Sequence, residues 1–329
     1  MPHLKRAHFI SLTIALSMGA CADGNAELGD SSAVMASMTL PDGAEAVSFL
    51  GETLMPPEQP EAVRAVYLER YAEAEDALIE APQGADALVW MGRRTAYLGE
   101  YRSAIEIYTH ALTLHPMDAR LYRHRGHRYL TVRDLDRAIA DLQRGLELVS
   151  GLPDEVELDG LPNRLNIPTS TLHFNLWYHL ALSHYVKGDL EAALEAQRSC
   201  LAVSLHPDSV VAASYWLYMT LRRLGMGDEA AAVLGGISAD MEIIESTGYL
   251  DLLLLYKGER TLEDLMGPAG SDATLQSTTT AYGLGVWYLL NDRPNEARET
   301  WERILTGRSQ WPAFGYLAAE SELARLGAE

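Results

Sequence analysis

Apolar residues recur along most of this chain at the spacing of amphipathic helices. Between Glu61 and Glu80, Val63, Val66, Tyr67, Tyr71, Ala74 and Leu78 fall three and four apart, which predicts one helix. Beyond it the pattern itself repeats. With Ala85 as position 1 of a 34-residue unit, Gly92 falls at 8, Gly99 at 15, Ala104 at 20, Tyr108 at 24, Ala111 at 27 and Pro116 at 32. Helices approach closely only where side chains are small, a glycine suits the turn between them, and a proline ends the second. A unit from Ala119 repeats this with Gly126, Tyr129 and Ala138, with Gly145 in place of Ala and Ser150 in place of Pro. A third starts near Phe174, with Trp177, Leu180, Ala181, Gly188 and Ala193. There Cys200 takes the small interior position and reads as a buried structural thiol. Weaker units follow from Val211 (Leu217, Gly225, Ala230, Leu234), over Leu250 to Leu265 around Gly258, and from Thr278 (Gly285, Tyr288, Ala297, Trp301). Pro312 to Leu326 reads as a closing helix over the last apolar face.

These spaced requirements resemble the tetratricopeptide repeat (TPR), over about three-quarters of the chain. The resemblance implies an all-α fold, a right-handed α-solenoid of TPR-type helix-turn-helix repeats spanning 60–329. Clear repeats fall at about 85–118, 119–152 and 174–207, weaker ones at 211–244, 248–270 and 278–311, and the closing helix at 312–326.

One interruption breaks the register. Units two and three begin 55 residues apart, so an insertion occupies 151–172. It holds three prolines, two glycines and the acids Asp154, Glu155, Glu157 and Asp159, with Thr169 or Ser170 placed to cap the next helix. A loop this long in a repeat array is either functional or a tolerated surface excursion.

The N-terminus reads as an address. His3, Lys5, Arg6 and His8 precede an apolar run from Phe9 to Met18, too short to span a bilayer, so residues 1–20 are expected to be a cleaved export signal. Met18-Gly19-Ala20-Cys21 resembles the bacterial lipobox, with Met in place of the usual Leu. That resemblance implies lipidation of Cys21 and anchoring to a bacterial membrane, at the outer membrane or the periplasmic face. The alternative is ordinary cleavage at Ala20-Cys21-Ala22, which discards the thiol. Residues 21–59 read as a tether and short segment, with a short helix over Asp42 to Leu54, ended by Pro56, Pro57 and Pro60.

The chain carries a net charge of −20, and loss of residues 1–20 removes Lys5 and Arg6 but no acid, giving −20 − 2 = −22. Such a chain repels phosphate backbones, which argues against nucleic acid as a partner. There is no G-x-S-x-G elbow, phosphate-cradling glycine loop or H-E-x-x-H, so neither an enzyme nor a cofactor is expected. His124 with His127, and His179 with His184, lie about a helical turn apart, but metal binding needs three or four convergent ligands. Arginines beside the first pair would repel a cation, and no metal site is expected.

Against that acidic background, Met91 to Arg137 holds nine Arg and five acids, a net of +4. In tetratricopeptide domains the first helix of each unit lines a concave groove, mainly through positions 2, 5, 9, 12 and 13. The resemblance therefore implies a groove bearing Arg93 and Tyr97 from unit one, Arg120, Arg123 and His127 from unit two, and Asn175 and Tyr178 from unit three. Arginine suits bidentate pairing with carboxylates, and a concave wall concentrates its field. The Lys and Asn set of carboxylate-clamping TPR domains is absent. These arginines could equally pair with the protein's own acids, the insert's included; both hold if the insert lies over the groove as a removable cover. The function expected is a membrane-tethered TPR adaptor that takes an acidic or extended peptide or protein segment. The alternatives are a scaffold subunit of a cell-envelope complex and, further off, an enzyme or small-ligand binder using the insert as a lid.

Overall fold

The computed structural model describes residues 40–265 and 275–328; the export signal, Cys21 and the tether up to Thr39 lie outside them. The fold is all-α apart from one small hairpin: an α-solenoid of TPR-type helix pairs. Helix α1 (Glu61–Glu80) leads. The pairs α2 (Ala85–Tyr97) with α3 (Tyr101–Leu114), and α4 (Ala119–Thr131) with α5 (Leu135–Val149), come before the insertion. After it come α6 (Leu172–Lys187) with α7 (Leu190–Val203), and α8 (Pro207–Arg223) with α9 (Gly227–Gly235). Then follow α10 (Thr247–Lys257) with the single turn α11 (Leu262–Leu265), α12 (Leu275–Leu290) with α13 (Pro294–Thr306), and the C-terminal helix α14 (Phe314–Ala328). Each helix packs on its sequence neighbour, except that α12 packs back on α10 past the single turn α11; the first helices α2, α4, α6 and α8 also touch one another in turn, forming the inner layer. No described helix is long and apolar enough to cross a membrane.

The periodic small residues are where the helices meet. Ala104, Ala138, Ala193, Ala230 and Ala297, all at position 20, have no exposed surface. At position 8, a Cβ on Gly92 would lie 2.4 Å from the Tyr108 ring, one on Gly126 2.8 Å from Leu142, and one on Gly285 2.2 Å from Trp301. Each of those partners stands at position 24, so the missing Cβ is the space that the large side chain of the same unit fills. Between units, a Cβ on Gly145 would meet Leu176 at 2.5 Å. Cys200 is buried, and desolvation pushes its thiol well up, as befits an interior packing residue.

Position 15 carries the turn, and it turns left-handed in unit after unit: Gly99 (φ +87°), Gly188 (+92°), Gly225 (+75°), and also Arg133 (+68°) and Asp292 (+58°). A left-handed arginine is costly for an L residue, so something must hold it there. That something is α14. Arg133 Nη2 lies 2.7 Å from Glu320 Oε2, both side chains being almost wholly buried, and also donates to the Trp311 carbonyl.

The expected closing helix thus reaches much further than the last unit. It packs on α12 and α13, but it also contacts α6 across the C-terminal ends of the inner helices. Glu320 meets Arg133 after α4, Arg325 donates to the Val186 carbonyl near the end of α6, and Glu322 pairs with Arg223 at the end of α8. The residues expected as a short helix after the tether instead form a two-stranded antiparallel hairpin, Ala46–Val47 (β1) with Thr53–Leu54 (β2). Gly51 (φ +81°) permits the tight turn, which a continuous helix could not contain. The hairpin joins the two ends of the described chain: Phe49 N donates to Glu320, Trp311 Nε1 donates to the Met55 carbonyl, and Arg308 pairs with Glu52.

Candidate functional site

The inner face of units one to three is built on α2, α4 and α6. Asp118 caps α4 by accepting from Arg120 N, and Thr171 caps α6 by accepting from Phe174 N. These caps fix which side chains each helix turns inward. The seven residues expected to line a groove separate into three settings.

Arg93, Tyr97 and Arg123 come together beneath the insertion. Arg93 Nη2 donates to the Leu158 carbonyl at 2.9 Å, and its neighbour Arg94 donates to the Gly160 carbonyl. Arg123 Nε lies 2.9 Å from Glu157 Oε2, close enough for an ion pair but not aligned as a hydrogen bond. Gly160 is buried directly on Tyr97: a Cβ there would stand 1.7 Å from the tyrosine oxygen. An acidic, extended stretch of the protein therefore lies across its own arginines.

His127 and Tyr178 lie instead beneath the start of α14. Their rings stand 5.4 and 6.0 Å from that of Phe314. Tyr178 is buried; its hydroxyl accepts from Trp216 Nε1 and bonds the Tyr249 hydroxyl, both at 2.9 Å. Asn175, also buried, donates to Ser170 Oγ at the end of the insertion. Arg120 stands apart. It pairs with Asp118 and Asp86 at 2.6 Å beside an open cleft of about 730 Å³ that Met117, Leu152, Pro153 and Leu172 help to line.

Several participants fall outside the positions that the repeat pattern picks out. Arg94 and Arg128 both occupy position 10 of their units, and His124 and His179 both occupy position 6; that coincidence between units was the available signal. Arg128 is half-buried against the Tyr101 ring, 5.5 Å from its centroid, and among the described residues no carboxylate lies within ion-pair distance of it. Desolvation, with repulsion from Arg93, lowers the pKa of Arg128; desolvation also lowers that of Arg123. The imidazoles of His124, His127 and His179 are held well below the usual histidine range, first by burial and then by the charges of Arg123 and Arg128. Arg123 Nη1 donates to His124 Nδ1 at 3.0 Å, which requires that nitrogen unprotonated. The rings of His127 and His179 stand 4.2 Å apart. Among the described residues no group of three or more His, Cys, Asp or Glu is placed to hold a metal. Taken together, the inner face offers donors and positive charge, which suits carboxylates and backbone carbonyls.

No family model and no curated protein matches this chain. Among solved structures, a tetratricopeptide repeat protein from Parabacteroides merdae is 14% identical, with a TM-score of 0.44, over 79% of this chain and 93% of its own. YrrB, described as a TPR protein with an unusual peptide-binding site, is 16% identical, with a TM-score of 0.41, over 71% and 91%. MamA is 16% identical, with a TM-score of 0.41, over 61% and 95%. Likenesses this loose leave the fold resting on the helix packing described above.

Proposed function

We propose that this protein is a non-catalytic protein–protein interaction module whose arginine-lined inner face takes an acidic, extended segment of a partner. The observation that carries this reading is that Arg93, Arg94 and Arg123 already hold such a segment, Glu157 to Gly160 of the same chain. Arginine forks recognise main-chain carbonyls regardless of sequence and carboxylates by charge, which selects for acidity and extended shape together. Lipidation of Cys21 would hold the module on an envelope membrane, with residues 21–59 as the tether. Mass spectrometry of the mature N-terminus decides this: acylated Cys21 supports the tether, and a chain beginning after Cys21 removes it.

Peptide arrays test the binding reading. The full chain should retain acidic peptides over neutral and basic ones, with binding weakened by salt and by Arg93→Glu. Retention indifferent to peptide charge and to Arg93 would contradict it. A second reading, a scaffold subunit working through its ends, is supported by the first helix. In α1 only Ala74 is buried, while Val63, Val66, Leu68 and Ile79 stand exposed. Loss of a stable envelope complex on substituting those four, with acidic-peptide binding intact, would favour it.

A further inference from the structure

The segment over the arginines has two parts that are held differently. At its base it is fixed to the start of α6. Val156 bridges Thr171, Glu157 N donates to the Ser170 carbonyl at 3.1 Å, Leu172 N donates to the Glu155 carbonyl at 2.8 Å, and Asp154 accepts from His173 N. Beyond that bridge, the stretch from Glu157 to Gly160 meets the inner face through polar contacts and the packing of Gly160 on Tyr97. Its apolar side chain, Leu158, turns the other way and is 60% exposed, and Val156 of the bridge is 64% exposed. Leu165 and Ile167, further along the same insertion, are exposed as well. A loop that belonged to the core would bury these residues and leave its acids in water. Here the polarity is reversed, and the acid is what points inward.

The contacts it makes are those a foreign peptide could make. Two are to main-chain carbonyls, of Leu158 and Gly160, and one is to a carboxylate. The fit is also incomplete. The Glu157 carboxylate is misaligned on Arg123, and the Arg128 guanidinium has no acidic partner among the described residues. The face therefore carries more positive charge than its present occupant neutralises.

We propose that residues 157–160 are a built-in occupant of the partner site, and that an acidic extended segment binds by replacing them. Its main-chain carbonyls take the places of Leu158 and Gly160 on Arg93 and Arg94, one carboxylate replaces Glu157 on Arg123, and a second acid reaches Arg128. This rests on the function proposed above and adds the ligand's chemistry and its control. A site closed by its own chain binds with an apparent affinity reduced by the fraction of molecules that are open, so loosening the cover strengthens binding.

Gly160 supplies a variant that leaves every groove residue untouched. Gly160→Val puts a side chain where Tyr97 already stands and lifts the segment; Glu157→Gln removes its carboxylate without adding bulk. The probe is a fluorescein-labelled peptide with the sequence of residues 153–163, PDEVELDGLPN, followed by anisotropy with the full chain. It should bind the Gly160→Val protein on the order of tenfold or more tighter than the wild type, in line with a mostly closed site. Glu157→Gln should fall between, and this arm serves if the valine variant does not fold. Binding should be lost when the peptide's acids are replaced by amides, and in the Gly160→Val, Arg93→Glu double variant. Equal affinity of the peptide for wild type and both variants overturns the proposal. So does failure of both variants to bind it; if acidic peptides on the array still depend on Arg93, the proposed function survives that failure, and if none does, both fall.

Discussion

Two pieces of the chain cover the same inner layer of helices, and they are held in opposite ways. Helix α14 is interior. Leu317, Ala318 and Ala319 have no exposed surface, and its buried acids Glu320 and Glu322 meet Arg133 and Arg223. The segment Glu157 to Gly160 is held by three polar contacts and by Gly160 on the Tyr97 ring, while Leu158 faces water. Burial of apolar surface at about 25 cal/mol per Å² makes the first cover part of the fold. Hydrogen bonds worth about 0.5–1.5 kcal/mol each leave the second free to open by itself. One face of a repeat array can thus carry a permanent lock and a replaceable occupant side by side.

The comparison can be broken from the lock end. Glu320→Ala strands Arg133 as a buried, unpaired cation in a left-handed turn, and should cost about 3–5 kcal/mol in urea unfolding. A loss below about 1 kcal/mol, within the range of surface pairs, would demote α14 to a superficial cover. Phe314→Ala, which uncovers His127, Tyr178 and His179, should cost about 2–4 kcal/mol by the same measurement. Acid should act on this region as well. The folded-state pKa values of His124, His127 and His179 are depressed, so the unfolded chain binds more protons below the ordinary histidine value of about 6.5. Stability is therefore unaffected by these groups above about pH 6.5. It should fall as pH drops below that, by up to about 1.4 kcal/mol per pH unit for each histidine. A flat unfolding midpoint between pH 7 and 5 would contradict the burial of these rings.

At the occupant end the expected effects on stability are smaller. Glu157→Gln removes the acid facing the nearly buried Arg123 but keeps an amide oxygen that can accept from it, and should cost about 1 kcal/mol. Gly160→Val should lower global stability by about the free energy of closing the segment, roughly 1.4 kcal/mol for a site closed tenfold, while raising protease cleavage between Asp154 and Asn163. Cooperative loss of structure in that variant would show the segment to be part of the core.

The sequence made the repeats legible because they rest on local rules. A missing Cβ at position 8, a bulky side chain at 24 and an alanine at 20 lie within one unit, so their spacing survives in the primary pattern. The inner-face arginines and the acids of the insertion were both visible there, including the option that they pair with each other. What spacing could not reveal was partnership across the array. Arg133 and Glu320 are 187 residues apart, and nothing periodic links them. The hint was a misfit: unit two places an arginine where units one, three and four place a glycine in the left-handed turn. His127 and Tyr178 were expected on an open groove because their positions are inward. They are inward, but the last helix has filled that part of the space. The hairpin around Gly51 was missed because each of its strands is only two residues long, too short for alternation to show.

Hydrogen exchange resolved along the chain tests the difference between the two covers most directly. The amide of Glu157, the first residue of the occupant, and those of Leu317 to Ala319 in α14 are all protected by structure, but the two groups should exchange by different routes. The Glu157 amide should exchange through local opening, accelerate further in Gly160→Val, and ignore low urea. The α14 amides should exchange only with global unfolding and be unchanged by that substitution. If both groups show one opening free energy with one urea dependence, lock and occupant are a single unit, and the account of a replaceable segment over the arginines is wrong.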